Sequence, residues 1–90
     1  MNFGAIDIGS NAVRLLIARV EETQAGTTSV DKLSFYRVPL RLGADVFSDG
    51  EISERKQMYL VKTMKAFWYL MDVQGVESVS YTHLTLPTIE

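Results

Sequence analysis

The densest chemistry in this sequence lies in Ala5-Ile6-Asp7-Ile8-Gly9-Ser10-Asn11-Ala12-Val13-Arg14-Leu15. Asp7 puts a carboxylate at the end of a short apolar run, facing a turn of Gly9, Ser10 and Asn11. A glycine lets a ligand come close to the backbone, and successive N–H groups with a hydroxyl can cradle phosphate oxygens. Gly9, Ser10 and Asn11 are therefore phosphate-binding candidates, and Asp7 can hold a metal ion or its water ligands. Arg14 adds a permanent, fork-shaped cation suited to polyanions. The same residues admit a plainer reading. Asp before Gly-Ser-Asn is ordinary turn chemistry, and Arg14 serves equally well in a structural ion pair.

These residues need strands on either side to position them. Phe3–Ile8 is short and β-prone, and the Gly-Ser-Asn turn bounds it. Ala12–Val20 follows, with Val13, Leu15 and Ile17 on one face and Leu16, Ala18 and Val20 on the other. A strand apolar on both faces belongs in the middle of a sheet. Glu21–Thr27 reads as a hairpin loop, and Ser29–Val38 as a third strand ended by Pro39, which suits a sheet edge. Arg41–Glu51 reads as a loop carrying Gly43 and the pair Asp49-Gly50. Ser53 is a good N-cap for a long helix over Glu54–Val73, although Lys56 stands where a capping box needs Glu or Gln. Leu60, Val61, Met64, Phe67, Trp68 and Met71 form its apolar stripe, with Lys56, Lys62, Lys65 and Asp72 off it. Met58, Met64, Trp68 and Met71 read as core, and Lys62 and Lys65 as a solvated face. Gly75 is a natural stop, and Val76–Val79 starts a fourth strand. Three strands in a meander, then a helix and a parallel strand, make the first half of a ribonuclease H-like α/β sheet.

Composition narrows the functional classes. Nine Lys+Arg against eleven Asp+Glu give a net charge of −2 over 90 residues, which argues against nucleic-acid and membrane-surface binding. The absence of cysteine excludes disulfides, a thiolate zinc site and a Cys nucleophile. Met1–Ile8 has no basic residue and its apolar run is broken by Asp7, so it is not a secretory signal. No apolar stretch approaches the ~20 residues of a membrane span. The expectation is a cytoplasmic protein with no membrane or nucleic-acid partner.

The Ala5–Leu15 string resembles the first phosphate-binding motif of the exopolyphosphatase / guanosine pentaphosphate phosphohydrolase family, within the superfamily of sugar kinases, actin and heat-shock ATPases. The resemblance continues at Arg41-Leu42-Gly43, Asp49-Gly50-Glu51-Ile52-Ser53 and Gly75-Val76-Glu77-Ser78-Val79, and so covers residues 3–78. Ala12 departs from the family, which often has Ser there. The resemblance implies an incomplete actin-like ATPase domain and a phosphoanhydride hydrolase acting on polyphosphate or guanosine pentaphosphate. Asp7 would place Mg²⁺, Gly9, Ser10, Asn11 and Arg14 would hold phosphate, and Arg41 could face polyphosphate. A homodimer of the full-length protein is a further expectation. The family's Ala-Thr-Ser-Ala-x-Arg-like segment, its general-base Glu and its second, Gly-rich phosphate loop have no counterpart here, so the chain alone is expected to be inert. A fragment of a sugar- or acetate-kinase-like protein, or a non-catalytic actin-like module, is the alternative. Ser10-Asn11 in place of Thr-Thr counts against the kinase.

Val79-Ser80-Tyr81-Thr82-His83-Leu84-Thr85-Leu86-Pro87-Thr88 is similar to one translated frame of a transposon-end sequencing adapter. Residues 1–78 are then a partial phosphohydrolase domain and residues 79–90 a non-native tail. On this expectation His83, the one histidine of the chain, has no catalytic meaning. A nucleotide record with different codons would sink the idea.

Overall fold

The computed structural model of the chain describes residues 1–83. It contains β1 (Asn2–Ile8), β2 (Val13–Glu22), β3 (Thr28–Val38), α1 (Leu42–Asp49), α2 (Glu54–Val73) and β4 (Val76–His83). The strands form one sheet in the order β3-β2-β1-β4. β1 and β3 each pair antiparallel with β2, and β4 pairs parallel with β1 after the α2 crossover. This is the meander-plus-crossover α/β sheet expected from the sequence. β2, apolar on both faces, is an inner strand, and β3 lies at an edge with Pro39 just past its end. Among the described residues no helix is long and apolar enough to cross a membrane.

β4 begins at Val76 as expected and runs on to His83, in register with β1 as far as Ile8. Residues 79–83 of the adapter-like string therefore lie in the sheet. Parallel pairing needs only backbone groups and β-prone side chains, both of which Val79–Thr82 supply. The rest of that string, Leu84–Thr88, lies outside the described residues, as do Ile89 and Glu90.

α2 covers one face of the sheet. Ile6 of β1 and Val13, Leu15 and Ile17 of β2 pack with Phe67 and Met71 of α2. Close approach is possible because residue 4 is glycine: a Cβ there would lie 2.7 Å from the Met71 sulfur. The apolar stripe of α2 is wider than the surface it covers. Phe67 and Met71 are buried, but Val61 and Trp68 are more than half exposed, and Met58 is likewise outside the core. A helix laid across a twisted sheet touches it along a line, so only the middle of a broad stripe is buried. Thr63 is buried beside that line, its hydroxyl donating to the Tyr59 carbonyl at 2.7 Å. Lys62 and Lys65 are exposed, as a solvated face should be, whereas Lys56 is not free.

The segment expected to be a loop contains α1. Its propensity is poor, with Gly43, Ser48 and Asp49 in eight residues. Tertiary contacts hold it instead. Leu42 is buried, and the Asp45 carboxylate takes Lys56 Nζ at 2.8 Å and the Ser53 N–H at 3.0 Å. Lys56 above all, then the Ser53 hydrogen bonds, lowers the Asp45 carboxyl to about 2. Ser53 also caps α2, its hydroxyl oxygen accepting from the Lys56 N–H at 3.3 Å. Gly50 and Gly75 end the two helices at φ 74° and 66°, where a side chain would be strained.

Candidate phosphate-binding site

Asp7 is the second-last residue of β1 and stands directly across from Arg14 of β2. Their neighbours Ile6, Val13 and Leu15 point into the core beneath α2, so strand alternation puts Asp7 and Arg14 on the opposite face. The carboxylate and guanidinium meet at 3.3 Å, with both side chains partly exposed. Thr82 of β4 reaches the other Asp7 oxygen at 3.4 Å and the Ile6 carbonyl at 3.3 Å. A hydroxyl has one proton to donate, so these two long contacts are alternatives. The ion-pair reading of Arg14 is thus realised, and it leaves the Asp7 carboxylate loosely held.

The turn that follows is pinned from outside. Gly9 donates to the Ala12 carbonyl at 2.9 Å, closing the loop between β1 and β2. Gly9 and Ala12 are buried, Ser10 is half-buried and Asn11 is exposed. The Ser10 carbonyl accepts from the Gly43 N–H at 2.9 Å, and the Asn11 carbonyl from the Arg41 N–H at 2.9 Å. Both carbonyls are therefore drawn toward the start of α1. Among the described residues the Ser10 and Asn11 N–H groups make no hydrogen bond to the protein. This turn has its carbonyls tied down and its amides available, as anion binding requires.

Two residues with no clamping role assigned from sequence perform this clamping. Gly43 is in the first turn of α1, and a Cβ there would lie 2.9 Å from Ser10 Cβ and 3.4 Å from the Ser10 carbonyl oxygen. Arg41, immediately before α1, has φ 54° and ψ 47°, a left-handed conformation unusual for a residue with a side chain. Its carbonyl accepts from Lys56 Nζ at 2.9 Å. The Arg41-Leu42-Gly43 string was the available signal, but its contact with the turn spans some thirty residues and has no local signature.

Asp7 offers one carboxylate, and no group of three or more metal-ligating side chains exists among the described residues. A single loosely held carboxylate does suit Mg²⁺, which keeps several waters and takes its remaining ligands from substrate phosphates.

The fold is an incomplete mixed α/β sheet with a turn between its first two strands whose carbonyls are held by the start of α1. No protein-family model matches the chain, and no curated protein does either. Solved structures do match. A Ppx/GppA family member from Aquifex aeolicus aligns with a TM-score of 0.77 and 29% identity, over 92% of this chain and 26% of its own. An exopolyphosphatase from Cytophaga hutchinsonii aligns with a TM-score of 0.76 and 25% identity, over 92% of this chain and 25% of its own. An exopolyphosphatase-like protein at 19% identity shares the fold, with a TM-score of 0.76. The chain is similar to Ppx/GppA structures across nearly all its residues, and spans about a quarter of their length.

Proposed function

We propose that this chain carries the first phosphate-binding turn of a phosphoanhydride hydrolase acting on inorganic polyphosphate or guanosine pentaphosphate in the cytoplasm. The observation that carries the reading is the turn itself: the Ser10 and Asn11 carbonyls are clamped by Gly43 and Arg41, leaving their N–H groups for phosphate oxygens. Gly9 admits the ligand to the backbone, and the Ser10 hydroxyl adds a donor. Arg14 swings between Asp7 and the phosphate, since a 3.3 Å half-exposed pair is weakly held. Asp7 would hold Mg²⁺, with water and substrate oxygens completing its shell, and the ion would neutralise charge on the transferring phosphoryl group.

Binding and positioning are what these residues supply. With no residue matched to the general base of the resembling family, the chain is expected to bind without turning over. The test is a titration of the ¹⁵N-labelled chain with tripolyphosphate in Mg²⁺. Chemical-shift changes should centre on the Gly9, Ser10 and Asn11 amides, and Asp7→Ala should suppress them. Absence of such changes overturns the site. Phosphate release that Asp7→Ala abolishes overturns the inertness.

A further inference from the structure

We infer that Lys56 is a positioning residue of the phosphate turn: its ammonium, fixed by Asp45, holds the backbone that sets the Ser10 and Asn11 amides. The inference rests on the hydrolase reading above and adds to it a control on anion affinity from outside the turn. Lys56 Nζ donates to Asp45 Oδ1 at 2.8 Å and to the Arg41 carbonyl at 2.9 Å. The Arg41 N–H in turn donates to the Asn11 carbonyl at 2.9 Å. A second route runs through α1. Asp45 ties that helix to the start of α2 through Lys56 and the Ser53 N–H, and the first turn of α1 supplies the Gly43 N–H that holds the Ser10 carbonyl. Both clamps on the turn therefore lead back to one ammonium.

Three observations set this contact apart from an ordinary surface ion pair. The Lys56 and Asp45 side chains are only 19% and 15% exposed, so water competes weakly for them. Lys56 also lies in the first turn of α2, where the helix dipole disfavours a cation and where a capping box needs Glu or Gln. A residue that breaks its local rule needs a gain elsewhere, and the bonds to Asp45 and Arg41 are that gain. Finally, Arg41 is left-handed at φ 54°, a conformation that persists only where its surroundings hold it. Its carbonyl is held by Lys56 Nζ and by the Ala44 N–H, its N–H by Asn11. The anchor itself is rigid, because α2 is seated on the sheet by Phe67 and Met71.

The test compares ¹⁵N-labelled variants of the 90-residue chain, alone and titrated with tripolyphosphate in Mg²⁺, at a temperature where circular dichroism shows each folded. Lys56→Met removes the ammonium and keeps an unbranched stem. It should shift the Ser10 and Asn11 amide resonances of the free chain, although neither amide is bonded to Lys56, and weaken tripolyphosphate binding by roughly three- to tenfold. Lys62→Met removes the same charge from an exposed position on the same helix and should change neither. Should Lys56→Met fail to fold, Asp45→Asn, which leaves an uncharged oxygen for Lys56, should move the same two amides and weaken binding by a smaller factor. Unmoved turn amides with unchanged affinity in whichever of these two variants folds overturn the positioning role. Equal weakening by Lys62→Met also overturns it, in favour of net charge. An unsubstituted chain that binds no tripolyphosphate overturns the phosphate reading, and the amide shifts of the free variants still decide whether Lys56 sets the turn.

Discussion

Replacing Gly43 by Ala tests whether the start of α1 clamps the phosphate turn, because two arguments give it opposite signs. By helix propensity alone, Ala in place of Gly within a helix adds up to ~1 kcal/mol. The geometry says otherwise. The new Cβ would lie 2.9 Å from Ser10 Cβ, an atom that cannot rotate away without moving the turn backbone. Relief by separation stretches the 2.9 Å bond from the Gly43 N–H to the Ser10 carbonyl. That bond is worth about 1 kcal/mol, and overpacking a tight contact costs a further ~1–3 kcal/mol. After the propensity gain is subtracted, the net loss is about 1–3 kcal/mol. For a chain of this size each kcal/mol moves the thermal midpoint by ~4–8 °C. Urea denaturation followed by far-UV circular dichroism measures the change, and amide shifts at Ser10 and Asn11 locate it. A Gly43→Ala chain as stable as its parent, or more so, refutes the clamp.

Other substitutions read separate parts of the structure. Gly4→Ala meets the Met71 sulfur at 2.7 Å and a Val76 methyl at 3.3 Å, but a thioether is the movable end of a flexible side chain. Its cost should stay below ~1.5 kcal/mol, less than that of Gly43→Ala, in the same urea experiment. Phe67→Ala empties a fully buried position against β2 and should cost about 3–5 kcal/mol, enough to leave a broad, low-temperature melt. Asp45 gives a pH signature. Its carboxyl lies at about 2 in the fold against 3.8 ordinarily, so the folded state favours the ionised form. The resulting stability is present in full above about pH 4 and is lost as pH falls toward 2. Asp45→Asn should flatten the acid limb of a plot of thermal midpoint against pH, and an unchanged limb would refute the Lys56 pairing.

The long elements were legible because their patterns are local. β1, β2 and β3 declare themselves by apolar alternation between turn residues. α2 declares itself by a stripe with Ser53 before it and Gly75 after it. α1 was not legible, because nothing local makes it a helix. It has no side-chain cap, it starts from a left-handed arginine, and it is held by the burial of Leu42 and the Asp45–Lys56 pair. A helix of eight residues is marginal in water, and tertiary contacts decide whether it forms. The extent of burial on α2 was hidden for a related reason. Trp68 and Val61 match the helical period, but the width of the sheet beneath them is not written in that period.

The site divides along the same line. Asp7, Gly9, Ser10 and Asn11 are neighbours in sequence, so a strand ending in a turn was enough to bring them together. What makes the turn more than a turn comes from far along the chain, through the N–H groups of Arg41 and Gly43. Register does the rest. Asp7 opposes Arg14, and Arg14 opposes Arg37, so three charged side chains cross the sheet in one row on the face α2 leaves bare. A slip of one residue would drive Arg14 into the core and turn Leu15 out, so burial of Val13, Leu15 and Ile17 fixes the charged row as firmly as it fixes the fold. The one irregularity between β2 and β3 falls at Ile17/Ala18, beyond the row, where the hairpin runs on into solvent. Between that bulge and the Gly9–Ala12 turn the pairing is unbroken. The sheet there acts as a ruler that sets the charged side chains by the packing of the apolar ones behind them.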